Sequence, residues 1–289
     1  MASVETQGLS VEKLRELFEE TIRDGRLKLP VLPDLGTRVR EAATQASSNA
    51  NDLAAIIEVD PGLAARILKM ANSAMYAGLS EIRSLPQAIG RLGAGMVVAV
   101  VIGSAGKEIF KTECSDFRLA MLKAWRRSVF GAATAQLLGS RIDLSPEEGF
   151  IAGLLHTVGE PILLDAALQF QAGGKTGPIS IALFTESAKP LMPTAGAALL
   201  EKWNLPRVMV EAVRHQHAPD AAPEDARSSA AMIHLTDRIA SSLAVAGRLE
   251  EISAIAASPA ALALRLDEAQ IETLAAEALE AGRIVADSL

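Results

Sequence analysis

The chain has 289 residues, a formal net charge of −7, and 3% aromatic against 49% hydrophobic residues. That length supplies a core for one large or two small domains and excludes disorder as the ground state. The acidic balance argues against nucleic-acid and membrane-surface partners, because it repels phosphate backbones and anionic lipid. With so few rings, the core falls to Leu, Ile, Val, Met and Ala, a composition suited to closely packed helices.

Cys114 is the only cysteine, so an intrachain disulfide and a thiolate metal cluster are both excluded, and a reducing compartment fits. Met1 to Gly8 lacks the basic and apolar regions of a secretory signal. The longest uncharged stretch, Leu92 to Gly106, holds four glycines and falls short of the roughly 20 apolar residues that span a bilayer. The expected location is the cytoplasm.

Taken in chain order, the pattern predicts an all-α fold. Val11, Leu14, Leu17, Phe18 and Ile22 form one apolar stripe, with Gly25 where a terminating glycine belongs. Leu29-Pro-Val-Leu-Pro33 reads as extended. Helices follow over 34–46 and 51–59. Asp60 and Pro61 then cap a helix predicted to run to Met75. Ser84 to Gln87 reads as a capping box leading to Gly93. An apolar helix covers 95–109, a polar break covers 111–116, and a long helix from Phe117 is predicted to stop at Gly139. Ser145-Pro-Glu-Glu148 is the strongest helix start in the chain. A glycine-rich loop over 171–178 precedes helices at 194–203, 206–215 and 226–245, and a last helix runs from Asp267 to about Ser288. No internal repeat emerges.

Specific strings then carry more than periodicity. Leu29-Pro-Val-Leu-Pro33, Ile56-Ile-Glu-Val-Asp-Pro61, Leu63-Ala-Ala-Arg-Ile-Leu-Lys-Met-Ala-Asn-Ser73 and Ser84-Leu-Pro-Gln-Ala-Ile-Gly-Arg-Leu-Gly93 resemble the HDOD family in order and spacing. Trp125-Arg-Arg-Ser128, Gly153-Leu-Leu-His-Thr-Val-Gly159, Gly196-Ala-Ala-Leu-Leu-Glu-Lys-Trp203 and His217-Ala-Pro219 continue the resemblance, which covers about 25–245. It implies an N-terminal helical subdomain packed on an HD-like helical subdomain. The expected division is an N-terminal helix over 1–24, subdomains over 25–112 and 117–246, and a helical extension over 250–289.

HDOD domains are similar to HD metal phosphohydrolases and the HD-GYP cyclic-di-GMP phosphodiesterases, and characteristically lack their metal-binding set. The resemblance places Arg127 at the first metal-binding histidine, His156 and Thr157 at the His-Asp pair, and Asp237 at the distal aspartate. Met192, Glu160 and the pair Gln216-His217 fall at the additional HD-GYP positions. Two of the four core ligands are replaced, one by a fixed cation. No catalytic residue, metal or cofactor is therefore expected. The implied function is a bacterial signal-transduction module that binds a protein partner, and the sequence leaves its oligomeric state open. The alternatives are a degenerate phosphohydrolase using His156, His217 and Asp237, and a sensor for a small anionic ligand or nucleotide beside Arg127.

Each of these residues also has a structural role available. His156 lies among apolar neighbours and suits a core histidine bonded to a carbonyl. His215 and His217 suit a helix end. His234 suits a core contact, Asp60 a cap, Asn72 and Ser73 a turn, and Trp125 and Trp203 packing. A buried Asp237 without a metal needs a cation, so a hydrogen-bonded Arg127–Asp237 pair is expected, with a neutral His156 bonded to Thr157 or a backbone carbonyl. Cys114 has no histidine beside it, and no phosphate-binding loop or nucleophile elbow is present. The junction at Lys111 to Asp116 is the expected interaction surface.

Overall fold

The computed structural model describes residues 9–76, 78, 80–142 and 144–289. Those residues contain sixteen α-helices and no strand, so the fold is all-α.

Helix α1 (Val11–Arg23) begins at Ser10, whose hydroxyl accepts from Lys13 N, and ends before Gly25 at φ +64°. Its buried face carries Phe18, packed 5.7 Å from Phe170 and 6.3 Å from Phe184, while Phe117 meets Phe184 edge-on at 5.4 Å. A sequence poor in rings thus spends four phenylalanines pinning its first helix to the second half of the chain. The extended 29–33 segment is held by Lys202 Nζ on Leu29 O and Trp203 Nε1 on Pro30 O.

Helices α2 (Asp34–Thr44), α3 (Ala50–Ile57), α4 (Pro61–Ala71), α5 (Leu85–Leu92) and α6 (Ala94–Ile109) pack largely on one another. Asp60 caps α4 through Leu63 N, but α4 stops at Ala71 rather than Met75. The Asn72 side chain there bonds Leu68 O, Ile82 O and Ile82 N, and so closes the loop that follows. The expected capping box at α5 is absent: Ser84 makes no side-chain cap, and Gln87 accepts from Arg83 N instead. Gly93, at φ +80°, turns the chain by 106° between α5 and α6.

The centre of the molecule is α7 (Ser115–Arg141), whose residues 128–135 are all buried. It runs through Gly139 instead of ending there. A Cβ at Gly139 would lie 3.3 Å from Ser145 O, so this glycine serves a close approach of backbone rather than a helix stop. Around α7 stand α8 (Pro146–Leu155), capped by Ser145 on Glu148 N, and α9 (Gly159–Ala172). They are followed by α10 (Ile181–Ala188), α11 (Met192–Lys202), α12 (Arg207–Arg214) and α13 (Arg227–Ala246). The chain then adds α14 (Ile252–Ala256), α15 (Pro259–Ala263) and α16 (Glu268–Ser288). The last helix opens with an Asp267–Gln270 capping box and lies along α7, with Gly282 against the Phe130 ring. Segment 146–172 is apolar enough on composition to cross a membrane, but 83% of its most apolar window is buried among the other helices.

Candidate functional site

One cavity of about 210 Å³ gathers Arg127, His156, Thr157, Glu160, Met192, Gln216, His217 and Asp237, the eight positions singled out above. Thr185 and Lys189 complete its lining. Arg127 comes from mid-α7, His156 and Thr157 from the turn after α8, Glu160 from the start of α9, and Asp237 from α13.

Glycine makes this convergence possible. A Cβ on Gly131 would lie 2.5 Å from Gly153 O, and one on Gly153 2.3 Å from Gly131 O, so α7 and α8 cross with their backbones in contact. That crossing seats the His156 ring against α7. A Cβ on Gly159 would fall 1.8 Å from Met192 O, which brings the start of α11 onto the start of α9 at the cavity wall. The string His156-Thr-Val-Gly159 is thus explained by packing as well as by chemistry.

His156 is 1% exposed at its side chain. Its Nδ1 lies 2.6 Å from Gly153 O and its Nε2 3.1 Å from Asp237 Oδ1. Both nitrogens therefore face oxygen atoms, one of the backbone and one of a carboxylate. The expected carbonyl contact is present, and the second partner is Asp237 rather than Thr157. Thr157 turns elsewhere, its hydroxyl paired with Ser128 and 3.4 Å from Ala124 O.

Arg127 Nε stands 3.4 Å from Asp237 Oδ1, and its Nη2 donates to Glu160 Oε2, also at 3.4 Å. The Nε–H is not aimed at the carboxylate and has no hydrogen-bond partner. The expected Arg127–Asp237 hydrogen bond is therefore replaced by an ion pair, with Arg127 shared between two carboxylates and the Asp237 hydrogen bond taken by His156. Side-chain exposures of 31% for Arg127 and 27% for Asp237 make the pair half-buried.

Burial alone would raise the Asp237 carboxyl, but the His156 hydrogen bond and the charges of His156, Arg127 and His217 outweigh it and hold it well below the usual carboxylate range. Burial pushes Glu160 up, against the pull of Arg127 and with the help of Asp237. Burial likewise pushes His217 down, opposed by Asp237 and assisted by His234, Lys189 and Arg127.

Glu160 therefore binds its proton more tightly folded than unfolded. Its contribution is fully present below the unfolded value of about 4.3 and is lost as pH rises through the folded value. Replacing Glu160 with Gln is expected to shrink the fall in urea midpoint between pH 4 and pH 7 that this carboxyl causes. An unchanged difference between the two midpoints would contradict the assignment.

The other singled-out residues hold structure. Gln216 Nε2 donates to His156 O at 3.0 Å, and His234 Nδ1 meets Gln216 O at 2.8 Å, so His234 stays outside the cavity lining and braces it. His215 sits on Glu211 at the end of α12. Trp203 is buried, and Trp125 is half-buried, 5.5 Å from Phe110 beneath Lys107. Glu160 gains a role as partner to Arg127 that its position in sequence did not reveal. Lys189 and Thr185 went unnoticed with α10, whose only sequence signal is the Ser180 cap on Leu183 N.

A family model described as HDOD domain matches residues 29–219. The chain belongs to the HDOD family. A curated relative, an uncharacterized protein of Treponema pallidum (strain Nichols), is 24% identical over 220 residues; the match covers 73% of this chain and 42% of that relative. An HDOD domain protein of unknown function from Geobacter sulfurreducens superposes with TM-score 0.71 at 21% identity, covering 97% of this HDOD chain and 99% of the other. A candidate metal-dependent phosphohydrolase from Shewanella amazonensis SB2B gives 0.66 at 22%, covering 92% and 99%. At such identities the likeness establishes the HD-like helical fold.

The HDOD site does not fit the divalent metal of the HD enzymes. Asp237 Oδ1 already accepts from His156 Nε2, and the Arg127 guanidinium stands on the same oxygen, so the donors a metal would need are turned to a protein cation. Among the described residues, no group of three His, Cys, Asp or Glu side chains is disposed to hold an ion.

Proposed function

We propose that this HDOD protein is a non-catalytic, cytoplasmic regulatory module of bacterial signalling that acts by binding a protein partner. The observation that carries the reading is Arg127 within ion-pair distance of both Asp237 and Glu160, a cation of the protein's own where the HD enzymes recruit metal. The helical division at 25–112 and 117–246 is part of the proposal, supported by the mutual packing of α2 to α6. A cleft of about 530 Å³, lined by Lys111 to Cys114, Leu29 and α9, supports the junction as a contact surface.

A second reading, a small-anion sensor, is favoured by Lys189, which lines the cavity without a carboxylate partner among the described residues. At about 210 Å³ the cavity lies below the roughly 300–1,000 Å³ of drug-sized sites, so the candidate is phosphate-sized rather than a dinucleotide.

Elemental analysis of the purified protein, with cyclic-di-GMP and p-nitrophenyl phosphate assays in added manganese, tests the proposal. Substoichiometric metal and no turnover are expected. About one metal per chain, or turnover abolished by His156→Ala, would overturn it. Stabilisation by inorganic phosphate, about 2.7 kcal/mol at 100 times the Kd, would instead support the sensor.

A further inference from the structure

A groove of about 720 Å³ runs between α2 and α6 on one side and α8 and the start of α12 on the other. It shares no lining residue with the Arg127 cavity. Its apolar lining includes Val98, Ile151, Leu205 and Met209, contributed by three different helices and the turn before α12.

Three carboxylates mark its rim. Glu41 and Glu148 have no ion-pair or side-chain hydrogen-bond partner among the described residues, and Glu147 accepts only the Ser145 hydroxyl, at 3.2 Å. The groove's single cation, Arg40, is already committed to the carbonyls of Trp203 and Asn204. Gly95 adds a constructive detail: a Cβ there would lie 3.0 Å from Glu147 Cγ, so the missing side chain lets that carboxylate lie over the start of α6. Apolar depth with unpaired acid on the rim is complementary to an apolar segment shouldered by lysine or arginine.

We propose that this groove docks a basic amphipathic helix of a partner protein, whose apolar face enters between the two helical halves while its cations meet Glu41, Glu147 and Glu148. The inference rests on the binding-module reading and adds the partner's chemistry. The two fail separately, since metal content and turnover do not involve the groove.

The test uses the full chain and a fluorescein-labelled leucine/lysine peptide of about four helical turns, with leucines at i, i+3, i+4 and i+7. Its leucine/glutamate counterpart serves as the comparison, with anisotropy read at physiological salt. The basic peptide is expected to bind and the acidic one to fail. Glu41→Lys/Glu148→Lys should weaken binding at least about tenfold, and the milder Glu41→Gln/Glu148→Gln should act in the same direction. Glu19→Lys/Glu272→Lys, which changes net charge equally at exposed sites elsewhere, should leave it unchanged. Equal loss in both reversal variants, equal binding of the acidic peptide, or no binding would overturn the proposal. So would sedimentation showing self-association that the groove variants abolish, because the occupant would then be a second copy.

Discussion

Gly153→Ala is expected to cost at least about 4 kcal/mol, which from a total stability of about 5–15 kcal/mol leaves a marginal fold. The added methyl would lie 2.3 Å from Gly131 O and 2.7 Å from Ala135 Cβ. Backbone and a helix-borne methyl cannot swing aside as a flexible side chain does, so α7 and α8 must separate. Every buried contact between them then loosens, and the His156 ring loses its seat. Gly131→Ala meets the same wall from the other helix, with His156 Cε1 at 2.6 Å as a further obstacle. Gly90→Ala supplies the control: this glycine lies within α5 with nothing within 4 Å of its Cβ direction, and alanine there should stabilise by up to about 1 kcal/mol. Urea denaturation of the three variants checks the ordering. A Gly153→Ala protein with a wild-type midpoint would show that the crossing is looser than this geometry.

Asp237→Ala should cost about 2–3 kcal/mol at pH 7, below the roughly 3–5 of a fully buried pair because the Arg127 and Asp237 side chains keep 31% and 27% exposure. The loss strands His156 Nε2, which is buried, and leaves Arg127 to Glu160 alone. The pH dependence carries a definite sign. Asp237 titrates lower folded than unfolded, so its contribution is present above the unfolded value of about 3.9 and fades as pH falls below it. The stability gap between wild type and Asp237→Asn should accordingly be constant from pH 7 to about 5 and close progressively below about 4. Arg127→Ala should cost about 1–3 kcal/mol, with coupling to Asp237 of about 1 kcal/mol in a double-mutant cycle. Additive single variants would mean that the half-exposed pair holds nothing together, and that His156 alone anchors Asp237.

Residue order alone settles the contacts that near neighbours in the chain make among themselves. Asp60 and Ser145 cap the helices assigned to them, and Gly25 closes α1, because each bond spans no more than a few positions. Family membership was legible for a related reason, since linked strings keep their order and spacing whatever the packing. Local chemistry misled where a distant contact had the last word. Gly139 looked like a helix stop, but it faces the backbone of 144–146, so its use is spatial. Asn72 ended α4 by reaching ten residues ahead to Ile82. At the site, the linked strings supplied eight residues that line one cavity, whereas the packing of the helices fixed which of them touch. It gave Asp237 its hydrogen bond from His156, divided Arg127 between Asp237 and Glu160, and drew in Thr185 and Lys189. Hydrogen bonding and ion pairing act over a few ångströms and depend on how α7, α8, α9 and α13 cross, and that crossing is set by the Gly131–Gly153 contact rather than by any residue's neighbours in the chain.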